Sequence, residues 1–332
     1  MNKNFVPKSA RLMDQVREVM RFYHYSYKTE KTYIHWILRY IRFNDRRHPK
    51  EMGKPEIERF LSNLAINRDV SASTQNLALN AILFLYKEVL KSPIQDEIRA
   101  LRATRPKRLP TVLTKPEIAA LFSYMPDKHR MMFQILYAGG LRMNELLELR
   151  VHDFDFNKQQ LLIRHGKGGK DRTTLFPSML HNDVKNHLIK VRELHDSDLK
   201  KGFGETKLPD SLARKYPNAA KAHGWQYAFP STTICRDPRT GRSVRYHLHE
   251  SALRKILKYA KDKAGINKHF TAHVFRHSFA THMLEDGVNI RTVQTLLGHK
   301  DVKTTEVYTH VMDKSISGVK SPLETLHTDQ DN

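Results

Sequence analysis

Apolar positions recur at helical spacing through the first part of the chain. Leu12, Val16, Val19 and Met20 form one set, and Tyr33, Ile34, Ile37, Leu38 and Ile41 a second. Ile57, Phe60, Leu61 and Leu64 form a third, and Leu77, Ala81, Phe84, Leu85 and Val89 a fourth. Each set marks one apolar face of a helix, so the pattern predicts four helices joined by short polar segments, a small bundle. After Pro93 comes IRALRATRPKRLPTVLT, which is basic and holds Pro106 and Pro110. Proline lacks a donor and restricts the residue before it, so a linker is expected at Ile98–Pro110.

A second series of elements opens at Thr114. Thr114-Lys115-Pro116-Glu117 has the form of a capping box with proline in the first turn. A helix to about Tyr137 should stop at Gly139-Gly140, and a short one should carry Arg142 to Leu149. VHDFDF, QLLIR and RTTLF read as three strands, with Gly166-Lys167-Gly168-Gly169 as the turn between the last two. Helices resume at Leu253, Ile256, Leu257 and Ala260, and two more should end at Gly287 and Gly298, the place for a C-terminal glycine. A last helix is expected over Val302 to Val311. The fold class is mainly α with a small antiparallel sheet. Residues 195–245, with scattered glycine, proline and aromatics, fit none of these periods and suggest an insertion. Their Trp225, Tyr227 and Phe229 are expected to form its core.

Charge narrows the class. In 332 residues, 57 Lys and Arg face 35 Asp and Glu, a net +22. The excess is divided between both halves of the chain rather than concentrated in a tail, so both halves are expected to face one polyanion, nucleic acid above all. Cys235 is the single cysteine, which excludes an intrachain disulfide. No apolar run approaches membrane-spanning length and the first residues lack a secretory core, so a cytoplasmic protein is expected.

Four segments carry candidate chemistry. They are GGLRMNELLEL, with Arg142 and Glu145; HGKGGKDR, with Lys167; TAHVFRHSFATHML, with His273 and Arg276; and LLGHKDVKTTEVYTH, which supplies both His299 and Tyr308. Breaking a phosphodiester without metal needs cations on the nonbridging oxygens, a base for the nucleophile and an acid for the leaving oxygen. Arginine, histidine, lysine and a tyrosine nucleophile supply those parts. Taken singly each has a plainer account. Tyr308 can be a packing residue, Arg142 can pair with a nearby glutamate, and Gly166–Gly169 can be an ordinary turn; it is not a Walker loop. His273, His277 and His282 lack the cysteine or carboxylate that would complete a zinc set, so no metal is expected.

In this order, with His299 nine residues before Tyr308, the segments resemble the tyrosine recombinase (phage integrase) family. The resemblance covers nearly the whole chain. It implies an N-terminal helical core-binding domain (1–97), the linker (98–110) and a catalytic domain (111–332). It also implies that Arg142 and Arg276 bind the scissile phosphate, Lys167 is the general acid, and His273 the general base. His299 would be a phosphate donor, Glu145 a support and Tyr308 the nucleophile. Phe275 stands where the family's HxLRH motif has leucine, an apolar exchange. YKTEKTYIHWILRYIRF and LPDSLARKYPNAAKAHGWQYAFPS are similar to integron integrases, the second to their distinguishing insertion. That implies recombination between folded single-strand hairpin sites (attC) and duplex attI sites. Arg164, Pro230, Tyr246 and His247 would then lie near extrahelical bases. It further implies a homo-tetramer on DNA whose C-terminal tail (314–332) docks on a neighbour, and no cofactor. A recombinase acting on duplex sites, a topoisomerase-like relaxing enzyme and a DNA-binding protein without catalysis are the alternatives.

Overall fold

The computed structural model describes residues 5–92, 94, 110–164, 171–208 and 210–308. Contacts divide the chain into two units, 1–108 and 109–332. The expected linker falls at their junction, with all but Pro110 outside the described residues.

The first unit holds α1 (Leu12–Phe22), α2 (Tyr27–Phe43), α3 (Lys54–Ile66) and α4 (Ala72–Phe84), the last prolonged by a π-turn over Leu85–Val89. The expected apolar stripes face one core that includes the fully buried Val16, Met20, Ile37, Ile57 and Leu64; in the fourth, Leu77 is exposed and Ile82, outside the expected set, is fully buried. Start signals act locally. Ser26 accepts a hydrogen bond from the Thr29 amide at 3.1 Å, and Glu56 reaches back to the Gly53 amide at 2.8 Å. Buried Tyr40 and Tyr86 need polar partners. Their hydroxyls are 3.0 Å apart, and that of Tyr86 lies 2.9 and 3.0 Å from the carbonyl oxygens of Pro49 and Met52. The pair pins the end of α4 to the short turn before α3. Tyr25 and Tyr33 pack on Phe84, whereas Tyr23 and Tyr27 are exposed.

In the second unit the Thr114 capping box forms with both of its hydrogen bonds. It opens α5 (Lys115–Ser123), followed by α6 (Asp127–Ala138) and α7 (Met143–Leu147). A three-stranded antiparallel sheet follows, β1 (Phe154–Asp155), β2 (Gln160–Ile163) and β3 (Arg172–Leu175), in that order. Ile163 pairs with Arg172, so β2 and β3 flank the predicted turn, whose residues lie outside the described ones. VHDFDF is not a full strand. Asp153 accepts from the Arg150 amide at 2.8 Å and wraps Val151–Asp153 into a 3-10 turn, leaving two residues to pair.

α8 (His181–Lys200) continues into the start of the expected insertion. The remainder folds around buried polar anchors rather than a long regular element. It contains α9 (Asp210–Lys215), two 3-10 turns and a small sheet of β4 (Cys235–Arg236) with β5 (Ser243–Val244). Arg150 donates to Thr206 Oγ1, Trp225 O and Lys207 O, with its guanidinium 3.5 Å from the Tyr227 ring centroid. Arg245 makes a two-point ion pair with Asp198 at 2.5 and 2.6 Å. Tyr227 and Phe229 are buried, as expected, but Trp225 is only half-buried.

α10 (Glu250–Lys263), α11 (His273–Glu285), α12 (Ile290–Leu297) and α13 (Lys303–Glu306) complete the unit. Gly298 closes α12 in the left-handed conformation, at φ 66°. Of the predicted Val302–Val311 helix, the described residues form a helix only over Lys303–Glu306, and 309–311 lie outside them. Thr305 is held by His299, and the chain turns at Val307 and Tyr308. The main core gathers around Phe133 and Phe275, and a smaller cluster joins Phe279, Val293 and Leu297 to Tyr308. Among the described residues no helix is long and apolar enough to cross a membrane.

Candidate active site

The site starts from the glycine pair that ends α6. Gly140 has φ 58°, and a Cβ there would lie 2.5 Å from Phe279 Cδ1, so the sharp turn requires glycine. The turn delivers Arg142 as the N-cap of α7. Three residues on, Glu145 folds back to accept from the Arg142 amide at 2.9 Å and from its Nη1 at 2.6 Å. The plain pairing of Arg142 with a nearby glutamate therefore exists, and it belongs to a larger cluster. Arg172, on β3, donates through both Nη atoms to the same carboxylate at 3.0 and 2.8 Å. Arg276, on α11, brings Nη1 to 3.8 Å. One buried carboxylate thus faces three guanidinium groups. Burial acts to raise its pKa, but the Arg172 hydrogen bond and the charges of Arg172 and Arg142 outweigh it and hold Glu145 at about 2.

Arg276 is almost fully enclosed. It donates to Gly140 O and Leu297 O, both at 2.6 Å, and its Nη2 lies 3.0 Å from His299 Nε2. A guanidinium has no acceptor, so His299 Nε2 is the bare nitrogen and Nδ1 carries the hydrogen, donated to Thr305 Oγ1 at 2.9 Å. The Tyr308 amide in turn donates to Thr305 O at 3.0 Å. A continuous chain therefore runs from Arg276 through His299 and Thr305 to Tyr308. Burial and the neighbouring charge of Arg142 lower Arg276 to about 10, so it stays a cation at neutral pH.

Tyr308 is 4% exposed, and its ring stacks on His299 with centroids 6.3 Å apart. Its hydroxyl lies 3.1 Å from His277 Nδ1, not beside His273. Burial raises the phenol pKa, while Arg276 and Arg142 oppose that rise. His273 stands exposed to water one helical turn away, its pKa lowered by partial desolvation against the protein and by the charges of Arg276 and Arg142. The structure therefore gathers Arg142, Glu145, Arg276, His273, His299 and Tyr308 around one centre. Lys167 lies outside the described residues. Two of the three histidines weighed as zinc ligands have other partners: His277 has Tyr308, and His282 Nδ1 shares a 2.7 Å hydrogen bond with the Tyr137 hydroxyl.

A cavity of 350 Å³ opens beside this centre. Glu145 is on its wall, with Arg164, Trp225, Tyr227, Tyr246 and His247. Arg164 pairs with Asp153 at 2.7 Å and lies 5.2 Å from the Trp225 ring centroid. Tyr246 and His247 line the cavity, and Pro230 joins His247 in an isolated antiparallel bridge. The Tyr246 hydroxyl donates to Asp237 at 2.6 Å; burial and that carboxylate push its pKa up.

Three contributors were missed from the sequence. Arg172 stood in a quoted segment, but only strand pairing shows that it faces Glu145. His277 lay in the same motif as His273, one turn away on the helix. Thr305 was hidden as an ordinary polar residue before the tyrosine.

Comparison with known proteins agrees with this architecture. The Phage integrase family model matches residues 111–315, and the Phage integrase, N-terminal SAM-like domain model matches residues 12–96. An integrase/recombinase from Escherichia coli is 43% identical over 321 residues, 96% of this chain and 95% of that protein. Tyrosine recombinase XerA from Pyrococcus furiosus is 34% identical over 262 residues, 78% of this chain and 76% of its own. The XerH site-specific recombinase bound to difH substrate aligns with a TM-score of 0.59 at 22% identity, covering 93% of this chain and 84% of that one. A lambda integrase tetramer bound to a Holliday junction gives 0.59 at 15% identity, covering 91% and 78%. At these identities the two structures speak for the fold. The chain belongs to the phage integrase family and is a tyrosine recombinase, an enzyme that breaks and rejoins DNA strands.

Proposed function

We propose that the chain integrates and excises gene cassettes by recombining folded single-strand attC hairpins with duplex attI sites, using Tyr308 as nucleophile. The supporting observation is the cavity that shares Glu145 with the arginine cluster. A base unstacked from a hairpin has an aromatic-lined recess beside the phosphate site. Trp225, Tyr246 and His247 offer stacking faces, and Arg164 offers a planar cation.

In this reading Arg142 and Arg276 clamp the scissile phosphate. An arriving phosphate takes over the Arg276 Nη2 hydrogen now shared with His299. His299 then turns to donate to a nonbridging oxygen, and Glu145 keeps the guanidinium groups aligned. His273 takes the phenolic proton once substrate binding brings it within hydrogen-bond reach of Oη, which in the free protein lies beside His277. Tyr308 Oη bonds to phosphorus as the bond to the 5′-oxygen breaks, and Lys167 protonates that oxygen. The 3′-phosphotyrosyl ester conserves the bond for rejoining through a Holliday junction. Each of these steps runs on protein side chains, without metal or nucleotide. Residues 1–97 and 111–332 both bind DNA, joined by the basic linker 98–110 in a cytoplasmic enzyme. Four protomers assemble on two sites, each tail (314–332) docking on a neighbour; the tail lies outside the described residues.

The test compares one attC bottom-strand hairpin, nicked near the cut site, with the fully paired duplex of the same sequence in EDTA. A denaturation-resistant protein–DNA band should form on the hairpin at least ~10-fold faster, a difference of about 1.4 kcal/mol. Equal or faster reaction on the duplex would replace the hairpin reading with recombination at duplex sites.

A further inference from the structure

α11 presents His273 and His277 one turn apart, with Arg276 between them. Only His277 reaches the phenol. Its Nδ1 is 3.1 Å from Tyr308 Oη, and the two rings meet at 5.6 Å and 47°. His273 keeps its ring 6.3 Å from that of His277. Tyr308 follows a four-residue helix, and its amide donates one hydrogen bond, to Thr305 O. So short a helix fixes its end weakly. The ring contacts must therefore aim the side chain. The His299 stack holds the ring plane but is tolerant of sliding, whereas a hydrogen bond is directional.

We propose that His277 is the positioning residue of the nucleophile: its hydrogen bond with the Tyr308 hydroxyl sets the line along which Oη meets the phosphate. This rests on the reading of Tyr308 as the attacking group. The chemistry of His277 suits positioning rather than phosphate binding. Burial, with His273 and Arg276 nearby, lowers its pKa to about 4, so at neutral pH it is an uncharged imidazole. It adds hydrogen-bond direction without another positive charge. His273 is left free for the proton.

Four variants separate the possibilities, on a nicked substrate under single-turnover conditions. His277→Leu removes the hydrogen bond. His277→Asn keeps a polar atom at the distance of Nδ1 from Cβ. His277→Gln moves that atom one bond farther, and Tyr308→Phe controls for the nucleophile. His277→Leu should slow covalent-complex formation about 10- to 100-fold, the scale of a misplaced reacting group, while DNA affinity stays at the wild-type value. His277→Asn should recover most of the rate. Wild-type cleavage by a folded His277→Leu protein overturns the proposal, as does an Asn variant as slow as Leu. If the Leu variant does not fold, Asn against Gln decides: Gln should be slower, and equal rates overturn the proposal. A covalent band from Tyr308→Phe would overturn the nucleophile reading instead.

Discussion

Arg276→Lys should lower the single-turnover cleavage rate by about 10²- to 10³-fold, the cost of removing one preorganised donor from a transition-state oxygen. The guanidinium is matched to its place by shape. One plane spans the carbonyls of Gly140 and Leu297 and still turns Nη2 toward His299. A lysine ammonium is a point donor on a flexible stem and cannot hold all three directions. DNA binding should hardly change, because affinity sums many phosphate contacts along a protein of net charge +22. Gel shift and covalent trapping at one salt concentration check both halves. A rate that returns to wild type at saturating DNA would mean that Arg276 serves binding alone.

Glu145→Gln should be the most destabilising change in the centre, by about 3–5 kcal/mol, because it leaves buried cations without their counterion. Arg172 and Arg276 have side chains only 9% and 4% exposed, so water cannot replace the carboxylate. The pH dependence follows from the depressed pKa of about 2. The carboxylate's contribution is fully present above its unfolded value, near 4.5, and is lost as pH falls toward 2. The gap in melting temperature between wild type and Glu145→Gln should therefore be wide at neutral pH and narrow through the window from about 4.5 to 2. A gap that stays constant down that window would show that the carboxylate's charge is not what holds the cluster.

Much of this was legible in the sequence because the signals are local. Helical stripes placed the first bundle, Thr114 and Glu117 marked a helix start, and Gly139-Gly140 marked a stop. The same glycine pair delivers Arg142, so motif and backbone geometry coincide there. What was not legible depends on pairing across distance. Arg172 aims at Glu145 only once β3 has its register on β2. Helical spacing puts His273 and His277 in the same motif, but it cannot say which one the phenol will meet. The 3-10 turn in VHDFDF follows from Asp153 folding back to Arg150, whose side chain is itself anchored in a segment more than fifty residues away. The cavity is assembled from Arg164, Trp225, Tyr246 and His247, which no periodicity links. The insertion looked irregular because buried cations such as Arg150 and Arg245, not an apolar repeat, organise it.

Tyr308 carries the central claim. The direct measurement incubates wild type and Tyr308→Phe with a labelled, nicked attC hairpin in EDTA, followed by denaturing electrophoresis and peptide mapping of any labelled protein. Wild type should give a covalent band that maps to the peptide containing Tyr308 and Tyr308→Phe should give none, with equal DNA binding by both. A band of wild-type strength from Tyr308→Phe, or label on any other residue, would contradict it.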